Sequence, residues 1–306
     1  MPVGVALYSY LMSKLFLISL LLISTACAGP ADKPSPMADI HLHFNWDQEE
    51  LVSAEEAIRI LRKHNVVLAV VTATPSANAV KLRRAGGDWV LPIFSPYIDM
   101  EARYGWFNQT GIVQKAREAL QSGEYFGIGE VHLMVGLGPR RDNKVFTGLL
   151  KLAEEFAVPV LIHTEASSYK YLQQVCGKYS KVRFLWAHAG GLLGAHHSEK
   201  LLSACPNVWI ELSARDPRHY GSFLVKDNQL PADWLRVFKK FPDRFMTGTD
   251  PVWKAQELHR WDRADEGWLH YDEFIRFHRH WLAQLPPALE HRIRLLNARK
   301  FWLDKK

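Results

Sequence analysis

From residue 38 onward, short apolar runs alternate with segments whose apolar residues recur every three to four positions. The short runs predict strands and the longer periodic segments predict helices. Asp39 to Phe44 reads Asp-Ile-His-Leu-His-Phe, a polar/apolar alternation that sets His41 and His43 on one face of a first strand. Val66 to Thr72 is continuously apolar, as suits a parallel strand covered on both sides. Further strands are expected at Val90 to Ser95, Tyr125 to Leu133, Pro159 to Thr164, Val182 to Ala189, Val208 to Ser213 and Phe245 to Thr249.

Helices fill the intervals. The first runs from Ser53 to near Asn65, with Ser53 as N-cap and Glu56 reaching back in a capping box. Pro75 opens the second, through about Arg84. Gln114 to Leu120 is the third, and Phe146, Leu149, Leu150, Ala153 and Phe156 form the stripe of the fourth. Tyr169 to Cys176, His197 to Ala204, a helix begun by Pro231 and a last helix from Arg292 to Leu303 complete the set. Strand and helix alternate eight times, which predicts an α/β fold, a single-domain (β/α)8 TIM barrel over residues 38–306. An open doubly wound sheet is the alternative, but no Gly-rich phosphate loop follows the first strand. The stretch from Val252 to Pro286, with Trp253, Trp261, Trp268, Tyr271 and Trp281, is longer than a barrel needs there. It reads either as an extra helix packing its aromatics on the barrel or as a lid.

Composition narrows the class. The 306 residues are 48% hydrophobic and 23% charged, as in folded globular proteins. The net charge of +6 is spread among acidic residues with no dense Lys/Arg block, which argues for a solubilising surface charge and against nucleic-acid binding; the expected partner is a small-molecule substrate. Residues 1–27 have the layout of an export signal: Lys14, the apolar run Leu15 to Ile23, then Ser24-Thr25-Ala26-Cys27. That ending resembles a bacterial lipoprotein cleavage box, which implies lipidation at Cys27 and a place in the cell envelope, with plain secretion or an uncleaved anchor as alternatives. Residues 28–37 are Pro-rich and read as a tether. Cys176 and Cys205 are expected to be unpaired buried thiols, with a single bridge as the alternative.

The chemistry gathers at strand ends. In such a barrel the C-terminal ends of the strands meet at one mouth. The polar residues there are His41 and His43, Glu130 and His132, His163, His188 and Asp250. Together Asp39-Ile40-His41-Leu42-His43, Val160-Leu161-Ile162-His163, Trp186-Ala187-His188-Ala189-Gly190 and Thr247-Gly248-Thr249-Asp250 resemble the amidohydrolase superfamily, nearest its amidohydrolase-related branch of hydrolases and decarboxylases. Asn297-Ala298-Arg299-Lys300-Phe301 resembles the closing helix of that branch. The resemblance implies His41, His43 and His163 as metal ligands, Asp250 as ligand and proton acceptor, and His188 as a further ligand or water-orienting base. Gly127-Ile128-Gly129-Glu130 resembles the strand-four motif of TatD-type hydrolases, in which a glutamate bridges two metals. Two readings of Glu130 stay open: a two-metal site with His163 and His188 on the second ion, or one metal with Glu130 behind the ligands or against substrate. His132 is expected to be a loop residue.

Histidine and carboxylate ligands suit zinc, with manganese or nickel chemically compatible. The expected reaction is hydrolysis of a small amide, lactone or ester by metal-activated water. Non-oxidative decarboxylation is the second reading, and a non-catalytic envelope binding protein the third. Arg140, Arg141, Arg215 and Arg218 are candidate anchors for a substrate anion, or surface residues. Tyr97, Tyr104 and Trp106 are candidate pocket walls.

Overall fold

The computed structural model describes residues 33–99, 105–133, 138–164, 168–221, 229–254 and 263–304. The export segment and residues 28–32 of the tether, with Tyr104 and Trp261, lie outside them. Among the described residues no helix is long and apolar enough to cross a membrane.

The strands are β1 Met37–His43, β2 Val66–Thr72, β3 Val90–Pro92, β4 Ile128–His132, β5 Val160–His163, β6 Phe184–Trp186, β7 Val208–Glu211 and β8 Phe245–Met246. The helices between them are α1 Ala54–Lys63, α2 Ala77–Gly86, α3 Gly111–Gln121, α4 Lys144–Glu155, α5 Lys170–Lys178, α6 Ala195–Ala204 and α7 Ala232–Lys240. After β8 come α8 Tyr271–Leu282, α9 Pro287–His291, a wide turn Arg292–Leu296 and α10 Asn297–Leu303. All neighbouring strands pair in parallel, as β1-β2-β3 and β4-β5-β6-β7-β8. Both seams are bridged. Phe94 N–H donates to Gly127 C=O at 2.9 Å, Gly129 N–H to Phe94 C=O at 2.8 Å, and Ile40 N–H to Thr247 C=O at 3.1 Å. The eight strands therefore close into a cylinder.

Two apolar layers follow. Leu42, Ala69, Val71, Val90, Ile128 and Ile162 pack beneath the helices. Ala38, Ile40, Leu68, Val70, Leu91, Leu161 and Leu185 form a separate cluster, joined by Leu295, Ala298, Phe301 and Trp302 of the C-terminal helical segment. The second cluster is the interior of the cylinder, and the last helix closes its floor.

Several expectations shift. β1 begins at Met37, inside the expected tether, because Met37 is fully buried and pairs with Val66. Ser53 caps α1 by accepting from Glu56 N–H at 3.2 Å, but the Glu56 carboxylate turns to Arg59 instead of back to the cap. β6 stops at Trp186 rather than Ala189, since His188 and Ala189 take positive φ (55° and 50°) and turn the chain. Paired β8 ends at Met246, and Thr247 to Asp250 continues along β1 through Thr247 C=O and Asp250 N–H. Cys176 and Cys205 are bonded in a disulfide, Cα–Cα 6.1 Å, and are not the expected free thiols. The end of α5 lies against the end of α6, which brings them within reach. In the described part of the 252–286 stretch, Trp268, Tyr271, Phe274 and Trp281 are buried.

Candidate metal centre

Strict alternation along β1 would send Ile40 to the same side as Leu42. Instead the β1–β2 register slips between Asp39 and Leu42. Ile40 joins the interior layer and Leu42 the outer one, so His41 and His43 face inward above Ile40. A bulge re-aims side chains in this way. β4 slips likewise between Ile128 and Val131. Those two residues stay in the outer layer, and Glu130 and His132 turn inward. Gly129 makes this possible, because its φ is 141° and a Cβ there would lie 2.6 Å from Leu161 O.

The inward side chains converge. His41 Nε2 lies 3.2 Å from His43 Nε2 and 3.6 Å from Glu130 Oε2. His43 Nε2 lies 3.3 Å from Glu130 Oε2 and 3.4 Å from Asp250 Oδ1. Tetrahedral zinc with bonds of 2.0–2.1 Å has ligand–ligand edges of about 3.3 Å. His163 Nδ1 lies 2.6 Å from Glu130 Oε1, and His188 Nε2 lies 3.2 Å from that same oxygen and 3.8 Å from Asp250 Oδ2. All six residues proposed from the sequence thus meet at one mouth, and only His43 is more than slightly exposed.

His132 is not a loop residue. It ends β4, its Nε2 stands 3.7 Å from Glu130 Oε2, and its Nδ1 is bonded to the Tyr97 hydroxyl. Tyr97 therefore lines the site through His132, whereas Trp106 is a buried packing residue.

Sequence reading missed Glu211. It ends β7 fully buried, and its Oε1 accepts from His41 Nδ1 at 2.9 Å and from His188 N–H at 2.7 Å. Ser213 donates to the same carboxylate through N–H at 2.6 Å and Oγ at 3.0 Å, and lies 2.8 Å from His188 Nδ1. Burial alone would raise the Glu211 pKa, but His41, His188 and the Ser213 amide pull it down to about 2. The signal was present, since Val-Trp-Ile-Glu-Leu-Ser also places a carboxylate at the end of an apolar run. Gly248 leaves room for the contact: a Cβ there would sit 2.9 Å from His41 Cβ and 3.0 Å from Glu211 Oε2.

Asp250 is held by its neighbours. Its φ is 55°, an uncommon conformation for a non-glycine residue. Its N–H donates to His41 C=O at 2.8 Å. Gln48 Nε2 donates to Pro251 C=O at 2.6 Å, and His219, paired with Asp216, reaches Val252 C=O at 3.3 Å. Below, Asp39 ties β1 to the end of β8 and to α8, accepting from Thr249 Oγ1 at 2.6 Å and Tyr271 OH at 2.8 Å. Burial outweighs these bonds and raises the Asp39 pKa to about 6.

The donor set fits a cation. Asp250 Oδ1 is buried and accepts no hydrogen bond among the described residues. With Nδ1–H given to Glu211, a neutral His41 would offer its Nε2 lone pair toward His43. Burial would lower the His41 pKa, yet Glu130, Asp250 and Glu211 together raise it well above the ordinary value. That field favours positive charge at this spot.

The arginines are otherwise engaged. Arg140 pairs with Asp142, Arg141 stacks on Tyr171 and Arg218 reaches Glu273. Arg215 is fully buried, donating to the carbonyls of Gly191, His188 and Leu193. Its guanidinium clamps the turn that carries His188.

Comparison with solved structures gives an amidohydrolase from Burkholderia multivorans with bound zinc, 14% identical over 88% of this chain and 99% of that one, TM-score 0.56. A TIM-barrel protein from Bordetella bronchiseptica is 14% identical over 83% and 84%, TM-score 0.58. An amidohydrolase 2 from Bifidobacterium longum subsp. infantis is 14% identical over 88% and 99%, TM-score 0.50. These likenesses concern the fold. Among curated proteins there is no match. The amidohydrolase family model matches residues 38–303, the whole barrel with its strand-end residues. The chain belongs to the amidohydrolase superfamily and is an enzyme of its metal-dependent hydrolase type.

Proposed function

We propose that the protein hydrolyses a small amide, lactone or ester with a divalent cation, most simply zinc, held by His41, His43, Glu130 and Asp250, with His163 and His188 beside them. The observation that carries this reading is the convergence of two imidazole Nε2 atoms and two carboxylates at edges of 3.2–3.9 Å. The bound zinc of the Burkholderia amidohydrolase supports the choice of metal. The ion would supply Lewis acidity, bringing the pKa of a water to about 7 and polarising the scissile carbonyl.

The chain supplies the rest. Asp250, an acceptor once ionised, takes the proton as water attacks and returns it to the leaving group. Glu211 holds His41 in one tautomer. His188, fixed by Ser213 at Nδ1 and by Glu211 at its amide, is placed to stabilise negative charge developing on the substrate oxygen. Membership of an enzyme family leaves the non-catalytic binding reading without support.

Two measurements test the proposal. Purified, tag-free protein is analysed for metal, and His41→Ala/His43→Ala is compared with the parent on lactones, amides, esters and aromatic acids. The expected outcome is loss of both metal and turnover in the double variant. Metal content unchanged by that substitution would defeat the proposal. Carbon dioxide release from an aromatic acid, with no hydrolysis, would move the chemistry to decarboxylation.

We also propose that the protein is exported and lipid-anchored at Cys27. The Cys176–Cys205 disulfide supports this, because such bonds persist in oxidising compartments. Cys27→Ser is expected to shift the protein from the membrane fraction to the soluble fraction, and an unchanged distribution would count against the anchor.

A further inference from the structure

We propose that His219, charged and paired with Asp216, is a positioning residue: from the loop after β7 it fixes the turn that carries Asp250. The inference rests on the metal-centre reading above.

The turn is held through its backbone. Asp250 takes a φ of 55°, and Val252 N–H donates back to Asp250 C=O at 2.8 Å, closing a three-residue turn around Pro251. The next two carbonyls each have a side-chain donor, and the donors come from different loops. Pro251 C=O accepts from Gln48 Nε2 at 2.6 Å, from the loop after β1. Val252 C=O accepts from His219 Nε2 at 3.3 Å, from the loop after β7. With Asp250 N–H on His41 C=O at 2.8 Å, the turn is tied to three segments of the barrel rim.

The His219 tie requires a charged ring. A carbonyl only accepts, so Nε2 carries hydrogen. On the other side Nδ1 lies 2.7 Å from Asp216 Oδ2, and Arg218 N–H donates to Asp216 Oδ1 at 2.8 Å, which favours the ionised carboxylate. Nδ1 then donates as well, and the ring is an imidazolium. The pair is shut away from water, with His219 5% exposed and Asp216 4%, and Phe274 of α8 lies over the ring at 5.0 Å between centroids. Burial would lower the His219 pKa, yet the bond and charge of Asp216, the charge of Asp250 and the Val252 carbonyl raise it above the ordinary value. Burial would raise the Asp216 pKa, yet His219, the Arg218 amide and the charge of His278 lower it. Buried ion pairs add little net stability, and their attested use is to fix one arrangement. Here the arrangement is the turn that aims the Asp250 carboxylate at His43.

The test uses the full chain and two readouts. In the first, ring nitrogens are followed by NMR in the metal-free protein at about pH 7.5, above the ordinary histidine value of 6.5. His219, identified by the signals lost in His219→Gln, is expected to show two protonated nitrogens. In the second, cobalt(II) is bound to the stripped parent and to Asp216→Asn, His219→Leu and His219→Gln, and its visible spectrum and affinity are compared. Asp216→Asn keeps the ring and its packing but removes the ionised partner. It and His219→Leu are expected to shift the cobalt bands and to weaken binding about 10–100-fold. His219→Gln, which can still donate to Val252 C=O, is expected to fall between them and the parent. A His219 ring with one protonated nitrogen, or an Asp216→Asn protein matching the parent in spectrum and affinity, would overturn the inference and leave the metal-dependent hydrolase intact. A parent that binds no cobalt would remove the metal-centre reading and this inference with it.

Discussion

The carboxylate of Glu211 accepts a hydrogen bond from His41 Nδ1 at 2.9 Å, and with it the seventh strand aims the first. The same oxygen takes the backbone N–H of His188 from the turn after the sixth. One buried carboxylate thus sets the ring of one candidate ligand and the turn of another.

Replacing that carboxylate tests the arrangement. Glu211→Gln keeps the volume but removes the charge opposite His41, and metal affinity is expected to fall about 10–100-fold. Competition with a chromophoric chelator measures the change. An unaltered affinity would show that His41 needs no such partner.

Gly248 is the residue whose missing Cβ lets His41 and Glu211 meet. Gly248→Ala is expected to lower stability by about 1–3 kcal/mol through overpacking and to weaken metal binding along with it. Chemical denaturation with and without metal reads both effects. The contact is with His41 Cβ and backbone, so a rotamer change alone cannot relieve it.

His278 gives a pH signature. It is fully buried, receives the Trp281 indole N–H on Nδ1 at 3.2 Å and bonds to the Gly248 backbone, a pattern only the neutral ring satisfies. Burial lowers its pKa from 6.5 to about 4, against the pull of Asp216 and Glu211. A depressed folded-state pKa gives stability that is present above pH 6.5 and lost as pH falls toward 4, here about 3 kcal/mol. Unfolding midpoints across that window are expected to fall more steeply for the wild type than for His278→Gln. Parallel curves would contradict the assignment.

The Cys176–Cys205 bond joins residues 29 apart in sequence. Closing a loop of that length is worth about 3–4 kcal/mol in the chain-entropy account. Cys176→Ser/Cys205→Ser is expected to lose stability of that order while retaining bound metal, because neither cysteine reaches the centre. Denaturant melts with and without reductant, compared with the double variant, check this.

What the sequence by itself determined follows from local rules. Apolar runs such as Val66 to Thr72 had to be buried strands, periodic stripes such as that of α4 had to be covering helices, and their alternation specified a parallel α/β layout. Polar residues closing those runs marked His41, His43, Glu130, His163, His188 and Asp250 before any distance was known. Strand ends in such a cylinder share one mouth, so chain order alone brought them together.

Tertiary structure decided the rest. The slips at Ile40–His41 and Gly129–Glu130 depend on which neighbouring strand offers which carbonyl, and alternation within one strand cannot report that. The role of Glu211 depends on a partner 170 residues away, and that of Gly248 on the space between two other strands. The disulfide depends on two helix ends meeting, and His132 on the hydroxyl of Tyr97. Each of these is a relation between segments distant in sequence, and only closure of the barrel fixes the distances that give it chemical meaning.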